Sequence, residues 1–218
     1  MTIRRTLGAL ILGTSMLATA GCETAPPPMV RPAAFTPLGV SAPYLFGDVI
    51  GGRKARVAKM RAAKIKPLSP AAAGTYMASL DRELREQTAG IGLDVLNLGS
   101  SVVIRVPATF TFDAGSAVVK PQTDATLLEI ARTVKTKNQT FVDVLAHTDT
   151  SGNPQGNQAL SEKRAAAVAT YLNKHGVGHS RIASKGYGES LPLYSPDTTE
   201  TEKAANRRIE IRLVPYTG

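Results

Sequence analysis

Six prolines between Ala25 and Pro43 (Pro26, Pro27, Pro28, Pro32, Pro37 and Pro43) set the first limit on this chain. Proline lacks a backbone N–H and locks φ, so neither a helix interior nor a central strand tolerates that density. The segment is expected to be an extended, semi-rigid spacer, reaching roughly 60 Å at about 3.1 Å per residue. Any packed domain must be built from the residues that follow. With 43% hydrophobic and 20% charged residues over 218 positions, the chain can bury a core.

Charge divides the chain at the same place. The formal net charge is +9. Residues 1–66 carry ten basic residues (Arg4, Arg5, Arg31, Arg53, Lys54, Arg56, Lys59, Arg61, Lys64, Lys66) against Glu23 and Asp48. The remaining residues carry 16 basic and 15 acidic side chains. A nearly neutral body argues against a basic nucleic-acid-binding fold. A single cysteine excludes an intrachain disulfide framework and a cysteine-built zinc site. Within 53–66 seven basic residues stand without an acid, and Val57, Met60 and Ile65 give only a weak apolar face. This segment is expected to be a solvated linker or short helix. Alternatively, Arg53, Lys54, Arg56, Lys59, Arg61, Lys64 and Lys66 contact an anionic surface, lipid phosphate or wall polymer.

Ahead of the prolines, Arg4 and Arg5 precede an apolar run from Leu7 to Ala20, the form of a secretory signal. The run closes on Ala18-Thr19-Ala20-Gly21 before Cys22, which resembles the lipobox of bacterial lipoproteins, although Thr19 stands where Leu is usual. The resemblance implies that Cys22 becomes an acylated N-terminus and a membrane anchor. Glu23, rather than Asp, follows it, which implies the outer membrane. The expected plan is a signal peptide over 1–21, a lipidated Cys22 with its linker over 22–44, and a Gly/basic segment over 45–68.

Ser69-Pro70 reads as a helix start, and Tyr76, Leu80 and Leu84 share one face before Gly90 and Gly92. Leu93–Leu98 and Ser101–Pro107 read as a hairpin around Gly99-Ser100. Helices are expected over Thr123–Thr136 and 158–175, and strands over Thr140–Ala146 and Ile182–Tyr187. Arg207–Val214 alternates Arg208, Glu210 and Arg212 with Ile209, Ile211 and Val214, and reads as a last, half-exposed strand. The fold class is α/β (α+β): helices packed on a mixed β-sheet, preceded by a helix and hairpin over 69–104.

Candidate chemistry gathers after Thr140–Ala146. His147, Thr148 and Asp149 follow the strand directly, at the end where α/β sheets place ligands. Asn157 is expected to cap the next helix. On that helix Leu160, Arg164, Val168 and Leu172 lie four apart, which puts one cation on an apolar stripe. Arg164 needs an acid. Either it pairs structurally with Asp149, or the two face a cleft and hold a zwitterion, ammonium on the carboxylate and carboxylate on the guanidinium.

Five blocks in order, Phe112-Asp113-Ala-Gly-Ser, Ala-His147-Thr148-Asp149-Thr-Ser-Gly152, Asn157-Gln-Ala-Leu160-Ser161-Glu-Lys-Arg164-Ala165, Gly186-Tyr-Gly188-Glu189 and Asn206-Arg207-Arg208-Ile-Glu210, resemble the OmpA-type peptidoglycan-binding domain. The resemblance covers about residues 105–214, within an expected domain over 105–218, and Tyr76–Phe112 is similar to the lead-in of small OmpA-family lipoproteins. It implies that Asp149 and Arg164 hold diaminopimelate of the wall's stem peptide. It also implies that Phe112, Asp113, His147, Thr148, Asn157, Leu160, Asn206 and Arg207 line or support the groove. Ala146 replaces the usual Gly before the His, and Gly156 the usual Tyr before Asn157.

An enzyme would need more. His147 and Asp149 lie two apart at a strand end, His175 and His179 lie beyond the helix, and no nucleophile elbow accompanies them. His147 is expected to be a hydrogen-bonding structural histidine. Gly186-x-Gly188 lacks the third glycine of a dinucleotide site. No catalytic residue, cofactor, metal or nucleic acid is expected. The expected function is non-covalent tethering of the outer membrane to peptidoglycan; the alternative is a wall-anchoring scaffold within a larger envelope assembly.

Overall fold

The computed structural model of the protein describes residues 49–218. The expected signal segment, Cys22 and the proline-rich spacer lie outside the described residues. Two helices come first, α1 (Arg53–Ala62) and α2 (Pro70–Thr88). Ser69 caps α2 as its sequence implies, its side chain accepting the Ala72 N–H with Pro70 in the first turn. Strands β1 (Asp94–Asn97) and β2 (Val102–Pro107) pair antiparallel around Gly99, whose φ of 76° suits the turn. The chain continues through α3 (Ala108–Thr111), α4 (Asp124–Thr136), β3 (Thr140–Ala146), α5 (Pro154–Lys174), β4 (Ile182–Gly186), α6 (Glu200–Asn206) and β5 (Arg208–Pro215).

The five strands form one mixed sheet in the order β1-β2-β5-β3-β4. Only β3 and β4 are parallel, and α5 connects them. Met77, Leu80 and Leu84 of α2, Leu127, Ile130 and Val134 of α4, and Ala165, Val168 and Leu172 of α5 pack against one face. There they meet Val102, Ile104, Val142, Val144, Ile209, Ile211 and Leu213 of the strands. Burying each of these large side chains contributes on the order of 1.5–3 kcal/mol. Arg181 ties the layer together: burial lowers its pKa to about 10, and it donates to Val134 O at 2.6 Å, Thr140 O at 2.9 Å and Lys137 O at 2.9 Å. It thereby satisfies carbonyls at the end of α4.

β5 corrects its expected place. It is not a half-exposed last strand but the central one, buried from Arg208 to Val214. Its charges survive burial because the register puts opposite charges on neighbouring strands: Arg212 faces Asp143, and Glu210 faces Arg105. Arg212 Nη2 lies 2.7 Å from Asp143 Oδ2, and Glu210 Oε1 takes Arg105 at 3.1 Å and Arg208 at 2.7 Å. Polar alternation signals exposure only when the charges lack partners across the sheet.

The basic segment is likewise only partly solvated. Met60 of α1 packs with Val49, Phe141, Val214 and Tyr216 on this second face. Arg56 is buried, 2.8 Å from Asp143 Oδ1. Arg53 donates to Thr217 Oγ1 at 2.9 Å and lies over the Phe141 ring. Of the seven cations named for an anionic contact, Arg53 and Arg56 are therefore committed to the fold. Lys54, Lys59, Arg61, Lys64 and Lys66 are exposed.

Candidate functional site

The site is assembled where the parallel pair β3–β4 ends. The backbone N–H of His147 donates to Arg208 O and that of Thr148 to Gly188 O, both at 2.9 Å, so the exit from β3 is pinned on two sides. The helix that follows begins earlier than expected, at Pro154. Asn153, not Asn157, caps it, with Oδ1 accepting the Gly156 N–H at 2.7 Å, because Pro154 fits the first helical position. Asn157 is freed for another task. Its buried Nδ2 donates to Asp149 O at 3.3 Å, Ser151 O at 3.0 Å and Glu189 Oε2 at 2.7 Å, shaping the loop that carries Asp149.

A second clamp comes from a residue that the motifs do not contain. Asp197 accepts the Thr150 N–H at 3.0 Å, the Thr150 hydroxyl and Asn206 Nδ2 at 2.9 Å. Burial alone would raise its pKa, but these donors lower it. Asn206 is fully buried and also accepts the N–H groups of Leu193 and Tyr194. Asn157 and Asn206, both expected to support a groove, hold the loop that carries Asp149 and the carboxylate of Asp197.

Asp149 and Arg164 do not pair with each other. Asp149 Oδ2 takes Arg207 Nη1 at 2.5 Å, and its Oδ1 accepts the Ser151 N–H at 3.0 Å. Arg207 Nη2 reaches the exposed Glu200. Burial alone would lower the Arg207 pKa; its bonds to Asp149 and Glu200 outweigh that and raise it. Arg164 is held by backbone instead: Nε donates to Ser116 O at 2.8 Å and Nη2 to Asp113 O at 3.1 Å, and the guanidinium lies 5.2 Å from the Phe112 ring centre. No carboxylate among the described residues lies within ion-pair distance of it. Desolvation first, then the Arg207 charge, lower its pKa, with Asp149 opposing.

The structural ion pair left open by the spacing is thus absent, and the buried cation has no acid among the described residues within ion-pair distance. Asp113 enters through its carbonyl, while its exposed carboxylate lies 3.6 Å from Lys120. Leu160 is half-buried one turn before Arg164. His147 corrects its expected role: both ring nitrogens are buried without a hydrogen-bond partner among the described residues, and the ring stacks on Tyr187 at 5.4 Å. Burial foremost, and then Arg208, lower its pKa to about 3, so it is neutral near pH 7. Thr148 Oγ1 is likewise buried without a partner among the described residues. Asp197 lies in none of the motif blocks, and its contact with Thr150, 47 positions away, leaves no local pattern. Glu189 and Ser116 lie within the blocks but are not among the expected site residues, and they shape the site through contacts 32 and 48 positions apart.

With this geometry in hand, comparison with known proteins gives consistent results. Residues 111–207 match the family described as "OmpA family". The protein named "Probable lipoprotein YiaD" in Escherichia coli (strain K12) is 35% identical over 214 residues, covering 96% of each chain. The "Peptidoglycan-associated lipoprotein" of Pseudomonas aeruginosa is 33% identical over 53% of this chain and 68% of its own. Among solved structures, "the cell wall anchor of the T6SS from Pseudomonas aeruginosa" is 25% identical with a TM-score of 0.57, covering 62% of this chain and 96% of that one.

Proposed function

The chain belongs to the OmpA family, and from that premise we propose that it binds peptidoglycan non-covalently, through diaminopimelate of the stem peptide. It is a binding protein rather than an enzyme. The observation that carries the reading is Arg164: a buried guanidinium fixed by two carbonyls and an aromatic ring, without an acid among the described residues, beside the carboxylate of Asp149. Such a group is a receptor for a carboxylate. Asp149, accepting two hydrogen bonds from the described residues, retains acceptor capacity for an ammonium. An amino acid centre offers both charges on neighbouring atoms.

Cys22, acylated after signal cleavage, would hold the chain to the outer membrane with the domain in the periplasm, so that wall binding tethers membrane to wall. The exposed Lys54, Lys59, Arg61, Lys64 and Lys66 supply a contact to anionic lipid beside that anchor, worth about 1 kcal/mol per cation near the surface. Similarity to a named cell wall anchor favours a second role, a wall-binding component of a larger assembly.

Sedimentation with purified sacculi tests the binding site. Wild type should co-sediment, and Asp149→Ala and Arg164→Ala should not, while both keep a wild-type circular dichroism spectrum. Undiminished co-sedimentation of both folded variants would overturn the site. Palmitate labelling that persists in Cys22→Ser would remove the anchor. Salt-insensitive binding to vesicles containing phosphatidylglycerol, unchanged after neutralising the five cations, would remove the lipid contact. Recovery of the protein in a stable membrane complex would favour the assembly role.

A further inference from the structure

Arg207 already occupies the position that a ligand ammonium requires. Its Nη1 lies 2.5 Å from Asp149 Oδ2, while Nη2 meets Glu200, whose carboxylate is 77% exposed at the rim. The backbone on either side is fixed: Arg207 N–H donates to Lys203 O, and Arg207 O accepts the Ala108 N–H. The guanidinium therefore has two acidic stations, the buried Asp149 and, as an outer one, the exposed Glu200, with its backbone held on both sides. Arg164, by contrast, is immobilised on two carbonyls. Before any ligand arrives Asp149 is already neutralised by Arg207, and Arg164 has no acid among the described residues within ion-pair distance.

We propose that Arg207 is the resident counter-ion of Asp149 and makes the groove selective for an amino acid terminus over a plain amine. The proposal rests on the diaminopimelate reading of the site. A plain ammonium, such as a lysine side chain, can reach Asp149 only by displacing Arg207, and it adds a third cation around one buried carboxylate. A diaminopimelate centre brings its own carboxylate. That anion pairs with Arg164 and with the displaced Arg207, so the exchange conserves charge. Glu200 receives Arg207 during the exchange. Lysine and diaminopimelate differ at this end of the molecule by that carboxylate, so Arg207 turns one functional group into discrimination between two kinds of wall peptide.

The test measures calorimetric binding of two soluble tripeptides, identical except for meso-diaminopimelate or lysine at the third position, to the full chain. Wild type is expected to prefer the diaminopimelate peptide by about 30-fold or more, the scale of a buried polar mismatch. Arg207→Gln should reduce the ratio to about 5-fold or less, chiefly by tightening the lysine peptide, because Asp149 is then unoccupied. Glu200→Gln, at an exposed position, should widen the ratio, because Arg207 loses its outer station. Opposite movements of the ratio in the two variants support the proposal. An unchanged ratio in Glu200→Gln, or equal weakening of both peptides in Arg207→Gln, overturns it. If wild type binds neither peptide, the diaminopimelate reading itself fails; if it binds diaminopimelate and the ratios do not move, only the role of Arg207 does.

Discussion

Asp143, in the middle of β3, holds Arg56 of α1 at 2.8 Å and Arg212 of β5 at 2.7 Å, so a segment that reads as a basic linker is bound into the sheet. Ile50 N–H donates to the same carboxylate at 3.2 Å. Both oxygens are engaged, which offsets the cost of burying the charge.

Breaking this cluster from one side is therefore expensive. Arg56→Ala should lower the unfolding free energy by about 3 kcal/mol, and Asp143→Ala, which strands two guanidiniums, by at least as much. Lys59→Ala, on the exposed side of α1, should change it by less than about 0.5 kcal/mol. Urea unfolding followed by circular dichroism separates the three; equal midpoints for Arg56→Ala and Lys59→Ala would show that α1 is not part of the cooperative unit.

If Arg164 takes the ligand carboxylate as proposed, it does so through shape as well as charge. Its Nε and Nη2 are both committed to carbonyls, a two-point fork that an ammonium cannot reproduce. Arg164→Lys should weaken sacculus binding by about 10-fold or more while keeping the net charge. Binding within twofold of wild type would reduce the site to simple electrostatics.

His147 makes the domain acid-sensitive. Its pKa is depressed from 6.5 to about 3, so the unfolded chain binds a proton that the folded chain refuses. Stability is full above about pH 6.5 and falls as pH drops toward 3, with a limiting slope of about 1.4 kcal/mol per unit. His147→Phe, which keeps a ring against Tyr187, should flatten the slope between pH 5 and 6.5, above the range where most carboxylates titrate. Identical slopes for variant and wild type would remove His147 as the cause.

Two glycines should respond in opposite directions to the same methyl group. At Gly186 a Cβ would lie 2.2 Å from Glu162 N and 2.4 Å from Ser161 Oγ, where β4 touches α5, so Gly186→Ala should destabilise by about 2–3 kcal/mol. Gly74, exposed within α2, has nothing within 4 Å of its ideal Cβ, so Gly74→Ala should stabilise by about 0.5–1 kcal/mol. Thermal midpoints of the two variants decide the matter.

Local signals carried most of the fold. The 3.6-residue stripes of α2 and α4, the Ser69 cap, the Gly99 turn and the apolar run of β3 each depend on residues a few positions apart, and each forms where those residues place it. The reading failed where a residue had two competent neighbours. Asn153 and Asn157 both suit a helix cap, and Pro154 decides for the first. Arg208, Glu210 and Arg212 look solvated until Arg105 and Asp143 are found opposite them.

The site divides along the same line. Residue spacing alone specifies which groups stand at the end of β3 and on the stripe of α5, because strand and helix periodicity aim their side chains. The chain also carries, in order, the blocks that identify the family. The partners come from long-range packing: Arg207 on Asp149, two carbonyls and a ring on Arg164, and a stacked, neutral His147. Charge pairing depends on distance across the fold, and here Asp149 and Arg207 are 58 positions apart along the chain. Periodicity aims a side chain, but packing selects the group that meets it.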